Sequence, residues 1–446
     1  MRRIGFLALV VALGCRVAQA DGMLDPSFGK GGLVITDFGG GMPPPYDVAT
    51  SLVVLPDGRA VAAGYTNPNL PHTNMAVARY IFSGELDTTF GGDGMVVIAF
   101  PPLPTGDSHA VAEAVLLQPD GRLVLVGGAV IPTTGTVVPF GIAQSVFALV
   151  RLNADGSFDE TFGTGGVVTT PTDGGAVAGL LQPDGRIVAV GQSASFVVAA
   201  RYNADGSLDP SFGTGGVASV PISDFGVEAA ALQPDGKLVI AGAHPWPSAL
   251  PDFALIRLLP GGGLDLSFDG DGLATADFGV IEYGRSVTVL ADGRLVVAGS
   301  WAASAADWPG DFALTRFMPD GSVDTTFGNA GLSTADSGDP DQAEQVIQLP
   351  NGKLQVAGWT DVSGPKSDFL LARFLPDGLL DTSFGTGGLL RTDFNGGQDQ
   401  CTAVALAGPD LVLAAGSSFS TFEPTDFALA RYIASTPVEL LAFEVE

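Results

Sequence analysis

The chain has 446 residues, 46% apolar and only 15% charged, which excludes a disordered polymer because enough hydrophobic surface is present to offset the entropy of ordering. Glycine (62) and proline (31) are abundant but keep no three-residue period, which excludes a collagen-like rod. The formal charge of −28, from 48 acids against 20 bases, disfavours nucleic acid and anionic membrane surfaces as partners.

Residues 1–20 read as an export signal. Arg2 and Arg3 form a positive end, Ile4 to Gly14 an apolar stretch too short to span a bilayer, and Ala18-Gln19-Ala20 a small-x-small cleavage site. A lipoprotein would use Cys15, but Ala12-Leu13-Gly14 before it matches that pattern poorly. Cleavage removes Arg2, Arg3 and Arg16 and no acid, taking the charge from −28 to −31. The mature chain keeps only Cys401, so no intrachain disulfide is expected, and the thiol reads as a small buried residue. No later apolar run reaches membrane-spanning length, so the expected location is secreted, periplasmic or cell-surface.

From there one motif is written seven times. Asp25-Pro-Ser-Phe28-Gly29 returns at Asp87, Asp159, Asp209, Asp265, Asp324 and Asp381, in steps of 62, 72, 50, 56, 59 and 57 residues. The repeats start near Leu24, Leu86, Phe158, Leu208, Leu264, Val323 and Leu380. A turn of the form Pro56-Asp57-Gly58-Arg59 recurs six times, with a degenerate seventh at Gly408-Pro409-Asp410. An apolar run ending in Gly follows each turn, such as Leu295 to Gly299, and then a segment ending in Arg, such as Asp311 to Arg316.

Each unit predicts four short strands, in the fifth Gly272–Asp277, Arg285–Leu290, Arg294–Gly299 and Asp311–Phe317. Asp-Gly between the second and third reads as a tight hairpin whose residues tolerate positive φ. The third strand is apolar without alternation, so both of its faces should be buried between neighbouring sheets. Seven units of four antiparallel strands with no helical period predict an all-β, seven-bladed β-propeller over residues 21–433, with a β-solenoid as the competing architecture. Residues 434–446 look like a degenerate eighth start that supplies a closing strand, because Glu439 follows Arg431 by the same eight residues that separate Arg from Asp elsewhere.

Structure accounts for most of the charged repeats. The pairs Arg79–Asp87, Arg151–Asp159, Arg201–Asp209, Arg257–Asp265, Arg316–Asp324, Arg373–Asp381 and Arg431–Glu439 read as bridges across the loop into the next unit. The recurring Phe28 and Phe90 read as apolar plugs there. Of the 17 mature bases, only Lys30, Arg285, Lys366 and Arg391 fall outside these motifs, too few for a basic patch. Asn203 to Asp209 has the oxygen spacing of part of an EF-hand loop, yet Arg201 and Phe212 stand where carboxylates are required, so it reads as a turn. The Asp336-Ser-Gly-Asp339-Pro-Asp341 stretch leaves Ca²⁺ open, with no cofactor or metal ligand otherwise assigned. No Gly-x-Ser-x-Gly, His-Glu-x-x-His or phosphate loop is present, so no catalytic residue is assigned.

Loops after strands one and three share a face, and these vary where the turns on the other face do not. The unusual residues collect on that face: His72, His109 and His244, and the aromatics Tyr65, Trp246, Trp301, Trp308, Trp359 and Phe422. An aromatic rim with nearby Asp and Asn suits a glycan or a protein partner at the cell surface. The Leu-Asp-x-x-Phe-Gly-x-Gly-Gly and Leu-Gln-Pro-Asp-Gly-Lys/Arg-Leu-Val-x-Ala-Gly patterns, over residues 24 to about 431, resemble the delta-60 repeat family of bacterial proteins. That resemblance implies a β-propeller in an exported or surface protein and carries no established activity. The expected function is therefore a non-catalytic binding or surface-interaction module. The alternative is a carboxylate-dependent lyase or hydrolase acting on an extracellular polymer, which requires acids converging in a central pocket.

Overall fold

The computed structural model describes residues 21–39, 46–69, 72–100, 109–132, 143–193, 196–245, 250–279, 281–304, 309–362, 366–420 and 423–434. The expected signal at 1–20, Trp246, Trp308, Phe422 and the tail from 435 with Glu439 lie outside them. Among the described residues all regular structure is β, and no helix is long and apolar enough to cross a membrane.

The strands fall into antiparallel quartets. Quartet one is Asp47–Val54, Ala60–Asn69, His72–Tyr80 and Met95–Ile98; two is His109–Leu117, Leu123–Pro132, Ala143–Leu152 and Val167–Pro171. Three is Ala176–Leu181, Ile187–Gln192, Val197–Tyr202 and Val217–Val220; four is Gly226–Leu232, Leu238–His244, Asp252–Leu258 and Leu273–Ala276. Five is Ile281–Val289, Leu295–Ala302, Asp311–Phe317 and Leu332–Ala335; six is Asp341–Gln348, Leu354–Val362, Lys366–Phe374 and Leu389–Thr392. Seven takes Gln398–Gly408, Leu411–Ser420 and Glu423–Ile433 from the end of the chain and Leu33–Thr36 from its beginning. Single parallel bridges, Thr73 to His109 and Ser367 to Gln398, join quartets one with two and six with seven.

The sequence unit and the quartet are therefore out of phase by one strand. Gly272–Asp277 was expected to open the fifth sheet; Leu273–Ala276 instead pairs with Phe253–Ile256 on the outside of the fourth. The short Asp-x-x-Phe-Gly turn folds the chain straight back onto the strand it has just left, where backbone donors are still unpaired. The same offset brings the beginning of the chain to its end. Leu33–Thr36 pairs with Phe427–Ala430, and Met23–Leu24 with Tyr432–Ile433, so the outer strand of quartet seven is N-terminal; the closing strand expected from 434–446 lies, beyond Ala434, outside the described residues.

Each first strand packs against the first strand of the next quartet, and Gln398–Gly408 packs against Asp47–Val54 of quartet one. The apolar cores lie between quartets: Val61, Ala63 and Val77 meet Ala112, Leu123 and Leu125, while Ala62 and Ala78 meet Leu413 and Leu429. Second strands such as Leu295–Gly299 are buried throughout, as their lack of alternation requires. At the hairpins only the glycine takes positive φ, 86° at Gly58, while Asp57 accepts the Arg59 amide at 3.1 Å.

Every first strand carries one bulge against its second strand, at Thr50, Glu113, Val177, Glu228, Arg285, Glu344 and Thr402. Beside the bulges sit Gly64, Gly127, Gly191, Gly242, Gly299, Gly358 and Gly416, where a Cβ would lie 1.7–2.1 Å from a first-strand carbonyl oxygen. The glycine ending each apolar run is thus what lets the bulge form.

Candidate functional site

The third-strand arginines build one junction seven times. In quartet three, Arg201 Nε donates to Asp209 Oδ2 at 2.8 Å, Nη1 to Pro260 O of the next unit at 2.6 Å, and Nη2 to Ser211 at 3.0 Å. Its guanidinium lies 4.7 Å from the Phe212 ring centroid. Hydrogen bonds from the Ser211 hydroxyl and amide, with Arg201 beside them, hold the Asp209 carboxyl at about 2. The same Arg–Asp contact joins Arg79 to Asp87, Arg151 to Asp159, Arg257 to Asp265, Arg316 to Asp324 and Arg373 to Asp381 at 2.7–2.8 Å. Arg431 makes it with Asp25, at 2.8 Å, because the first repeat completes the last quartet; the expected partner Glu439 lies outside the described residues. Bases after the Asp-Gly turns reach the same carboxylates, as Arg59 does to Asp87 at 2.9 Å. This end of the molecule is committed to holding the sheets together.

The other candidate residues lie on the first strands. The bulge positions hold Thr50, Val177 and Thr402 in three quartets and Glu113, Glu228, Arg285 and Glu344 in the rest. Glu228 accepts Tyr283 Oη at 2.6 Å and Arg285 Nη1 at 2.9 Å, and Arg285 stacks 4.8 Å from the Tyr283 ring centroid. Glu344 accepts Gln342 Nε2 at 2.5 Å and Trp359 Nε1 at 3.3 Å. Burial alone would lower Arg285, but Glu228 and Glu344 beside it raise it further. Burial raises Glu344 against the pull of Arg285. Burial, with the Glu228 charge adding, pushes Glu113 up to about 7. A cavity of about 400 Å³ opens beside Glu113, lined also by His109, Ser145, Val177, Gln192 and Val227.

The arrangement therefore offers a carboxyl that takes up a proton near neutrality, a carboxylate fixed by a phenol and a guanidinium, and a third held by an indole. Sequence reasoning missed all of them. The signal was present: Arg285 was one of four bases outside the motifs, and superposing the strands that follow the Asp-x-x-Phe-Gly turn and its strand exposes the charged substitutions.

Of the expected aromatic rim, Trp246, Trp308 and Phe422 lie outside the described residues. Tyr65, Trp301 and Trp359 are half-buried strand residues rather than loop residues, because the second strands continue past their glycines. Tyr65 pairs with Val48, Trp301 with Glu282 and Trp359 with Gln342. Trp301 packs into the core between quartets four and five, and only Trp359 joins the acidic set. Asn203 to Leu208 forms a turn closed by Asn203 on Ser207 and Ser207 on Asp205. Cys401 is fully buried, and burial pushes its thiol up, away from reactivity.

Successive antiparallel four-stranded sheets joined by a repeated Arg–Asp–Phe junction fit the class of β-propeller repeat proteins. Residues 118–162, 182–212, 233–268, 290–327 and 349–384 match the family described as "Domain of unknown function (DUF5122) beta-propeller", which supports a bacterial β-propeller repeat family of unknown function. No curated protein matches the chain. Among solved structures, a protein of unknown function from Dyadobacter fermentans is similar at 12% identity over 90% of this chain and 99% of its own, with a TM-score of 0.48. An α-L-arabinofuranosidase from Fusarium graminearum is 12% identical over 71% and 91%, TM-score 0.39. A glucose dehydrogenase is 13% identical over 74% and 96%, TM-score 0.36.

Proposed function

We propose that the chain is an exported seven-bladed β-propeller of the delta-60 type, closed on itself, which binds a neutral glycan where the bulged first strands meet. Closure is supported by the pairing of Leu33–Thr36 with Phe427–Ala430 and by the packing of Gln398–Gly408 on Asp47–Val54. Export rests on the pattern of residues 1–20, with the propeller over 21–433. The observation that carries the binding reading is the set Glu113, Glu228, Tyr283, Arg285, Glu344 and Trp359. Its four charged members, Glu113, Glu228, Arg285 and Glu344, stand at the bulge position that Thr or Val fills in the other quartets, so the fold does not require them. Carboxylates and a guanidinium pair with sugar hydroxyls, while indole and phenol rings suit the apolar faces of sugars.

A glycan array followed by calorimetry tests this reading. The intact protein binds at least one neutral extracellular polysaccharide, and Glu228→Gln or Glu344→Gln weakens binding at least tenfold with the melting temperature little changed. Absence of binding to any neutral glycan, or equal affinity in both variants, overturns it. The second reading, a carboxylate-dependent hydrolase or lyase, is favoured by Glu113 alone, since a carboxyl near 7 beside a fixed carboxylate suits general acid–base work. Polysaccharide turnover abolished by Glu113→Gln supports it.

A further inference from the structure

Three carboxylates converge at four of the junctions between successive quartets, in each case with one oxygen per residue within 4.8 Å of the others. The sets are Asp37, Asp47 and Asp426; Asp252, Asp277 and Glu282; Asp311, Asp336 and Asp341; and Asp368, Asp393 and Asp399. The positions are equivalent: five residues before a third-strand Arg, four after the start of a fourth strand, and three before a bulge. At the junction of quartets one and two the same positions hold Asn74, Ala99 and Ala110, and at the next two only apolar residues or glycine. The acids come as complete sets or not at all. The repeat therefore folds without them, and where they occur they act together.

Two of the sets hold a further, independent feature. Asp47 is fully buried; its Oδ2 accepts the Phe38 amide at 2.9 Å, while its Oδ1 has no hydrogen-bond partner. Directly across the ladder from it is Thr66, also fully buried, whose hydroxyl acts on the Asp47 carboxyl but forms no hydrogen bond of full geometry. Paired residues project to the same side of a sheet, so that hydroxyl faces the carboxylates. Asp399 repeats the pattern, with Oδ2 on the Phe394 amide at 2.8 Å, Oδ1 unpartnered, and the buried Ser418 hydroxyl opposite it, again acting on the carboxyl without a hydrogen bond of full geometry. Buried polar oxygens are seldom left without a partner, and here they point to one that is not protein.

The other two sets differ where it matters. At Asp341 the opposing Thr360 hydroxyl already bonds Ser337 and Arg391, and Arg391 also bridges Asp339 at 2.5 Å, so a guanidinium supplies the positive charge. The expected cation loop at residues 336–341 is thus served by an arginine. Opposite Glu282 stands Trp301, which brings no hydroxyl.

We infer that the protein binds two calcium ions, one held by Asp37, Asp47, Asp426 and Thr66 between quartets seven and one, the other by Asp368, Asp393, Asp399 and Ser418 between quartets six and seven. All-oxygen ligation excludes soft-metal preference, since neither set contains His or Cys. Calcium takes six to eight oxygen ligands at about 2.3–2.6 Å in a flexible shell, which suits three carboxylates and a hydroxyl gathered from separate strands and a loop, whereas magnesium demands a near-ideal octahedron at about 2.0–2.1 Å and keeps several of its waters. The first site ties residues from the beginning of the chain to Asp426 near its end, so the ion clasps the seam of the ring. Lys366 and Arg391 act on Asp368, which makes the second site the weaker.

Calorimetric titration of the metal-stripped full chain with CaCl₂, alongside thermal unfolding, tests the assignment. Two ions bind per chain, the melting temperature rises by several degrees, and MgCl₂ at equal concentration gives a smaller shift. Asp37→Asn and Asp393→Asn alter exposed ligands and so leave folding intact; each reduces the count to one. Asp336→Asn leaves it at two. No calcium heat and no thermal shift at millimolar concentration, or an unchanged count in Asp37→Asn and Asp393→Asn, overturns the proposal. Neither outcome bears on glycan binding, which uses other residues.

Discussion

The turn end of the sheets and the bulged region of the first strands are built to opposite rules. At the turn end a single solution recurs: an arginine, the aspartate of the following turn, a Ser or Thr and a phenylalanine, meeting at nearly the same distances from Arg79 to Arg431. Along the bulges the backbone repeats just as faithfully, but the side chains change from Thr50 to Glu113 to Val177 to Arg285. Where every copy must satisfy the same packing, the sequence is monotonous. Where the backbone is secured by a glycine on the neighbouring strand, the bulged side chain is released for chemistry.

The largest expected effect breaks the structural side of this comparison at its most exposed point. Arg431→Ala removes the bond to Asp25, the bond to the Phe82 carbonyl and the stacking on Phe28, at the junction whose Arg–Asp pair is drawn from opposite ends of the chain. Truncating one member of a buried ion pair costs about 3–5 kcal/mol. A fall of that size in urea-unfolding free energy is expected. If the ring is closed as proposed, the loss reports on both chain ends together; a loss below about 1 kcal/mol would mean that the seam carries little of the stability.

How much was legible follows the same division. The six Arg–Asp spacings of eight residues coincide with six of the bridges, because that spacing survives any shift in how strands are shared between sheets. In the seventh pair the expected partner, Glu439, lies outside the described residues, and the partner that Arg431 does meet, Asp25, stands near the other terminus, where reading along the chain does not look. Phase was also invisible: the sequence unit begins at the turn, but backbone pairing begins at the strand after it. The aromatics misled for a related reason. Trp301 and Trp359 follow the glycine that seemed to end the strand, and in fact that glycine only accommodates the bulge. Glu113, Glu228 and Glu344 were hidden among 48 acids, and only the register shows that all three occupy the same bulge position.

The pH dependence of stability sharpens the comparison, since the two regions contribute with opposite sign. Glu113, at about 7 when folded against an ordinary value of 4.5, binds its proton more readily in the native state. Its contribution therefore grows as pH falls from about 7 towards 4.5 and vanishes above, by about 1–3 kcal/mol. The junction carboxylates act in reverse: Asp209, held at about 2, supports the fold above an unfolded value of 3.8 and loses that support as pH falls towards 2. Unfolding midpoints should rise from pH 8 to about 5 and then drop steeply. In Glu113→Gln the part of the rise above about pH 6 should disappear, while the part carried by Asp47 and Asp399, which burial pushes up to about 6, and the acid limb remain; an unchanged profile between pH 8 and 6 in that variant would assign the effect elsewhere.

The smallest effect belongs to the turn bases. Arg59 sits at the same carboxylate as Arg79, yet it is partly exposed and shares its charge with Asp57 at the surface. An ion pair of that kind contributes between 0 and about 1 kcal/mol. The protein supplies its own control, because the seventh turn, Gly408-Pro409-Asp410, has no such base, and Asp25 meets Arg431 at 2.8 Å without one. Arg59→Ala is therefore expected to shift urea unfolding by less than about 1 kcal/mol while Arg79→Ala shifts it several-fold more. Equal losses in the two variants would show that the junction is a three-charge unit, and that the seventh copy, lacking one member, is the weakest of them.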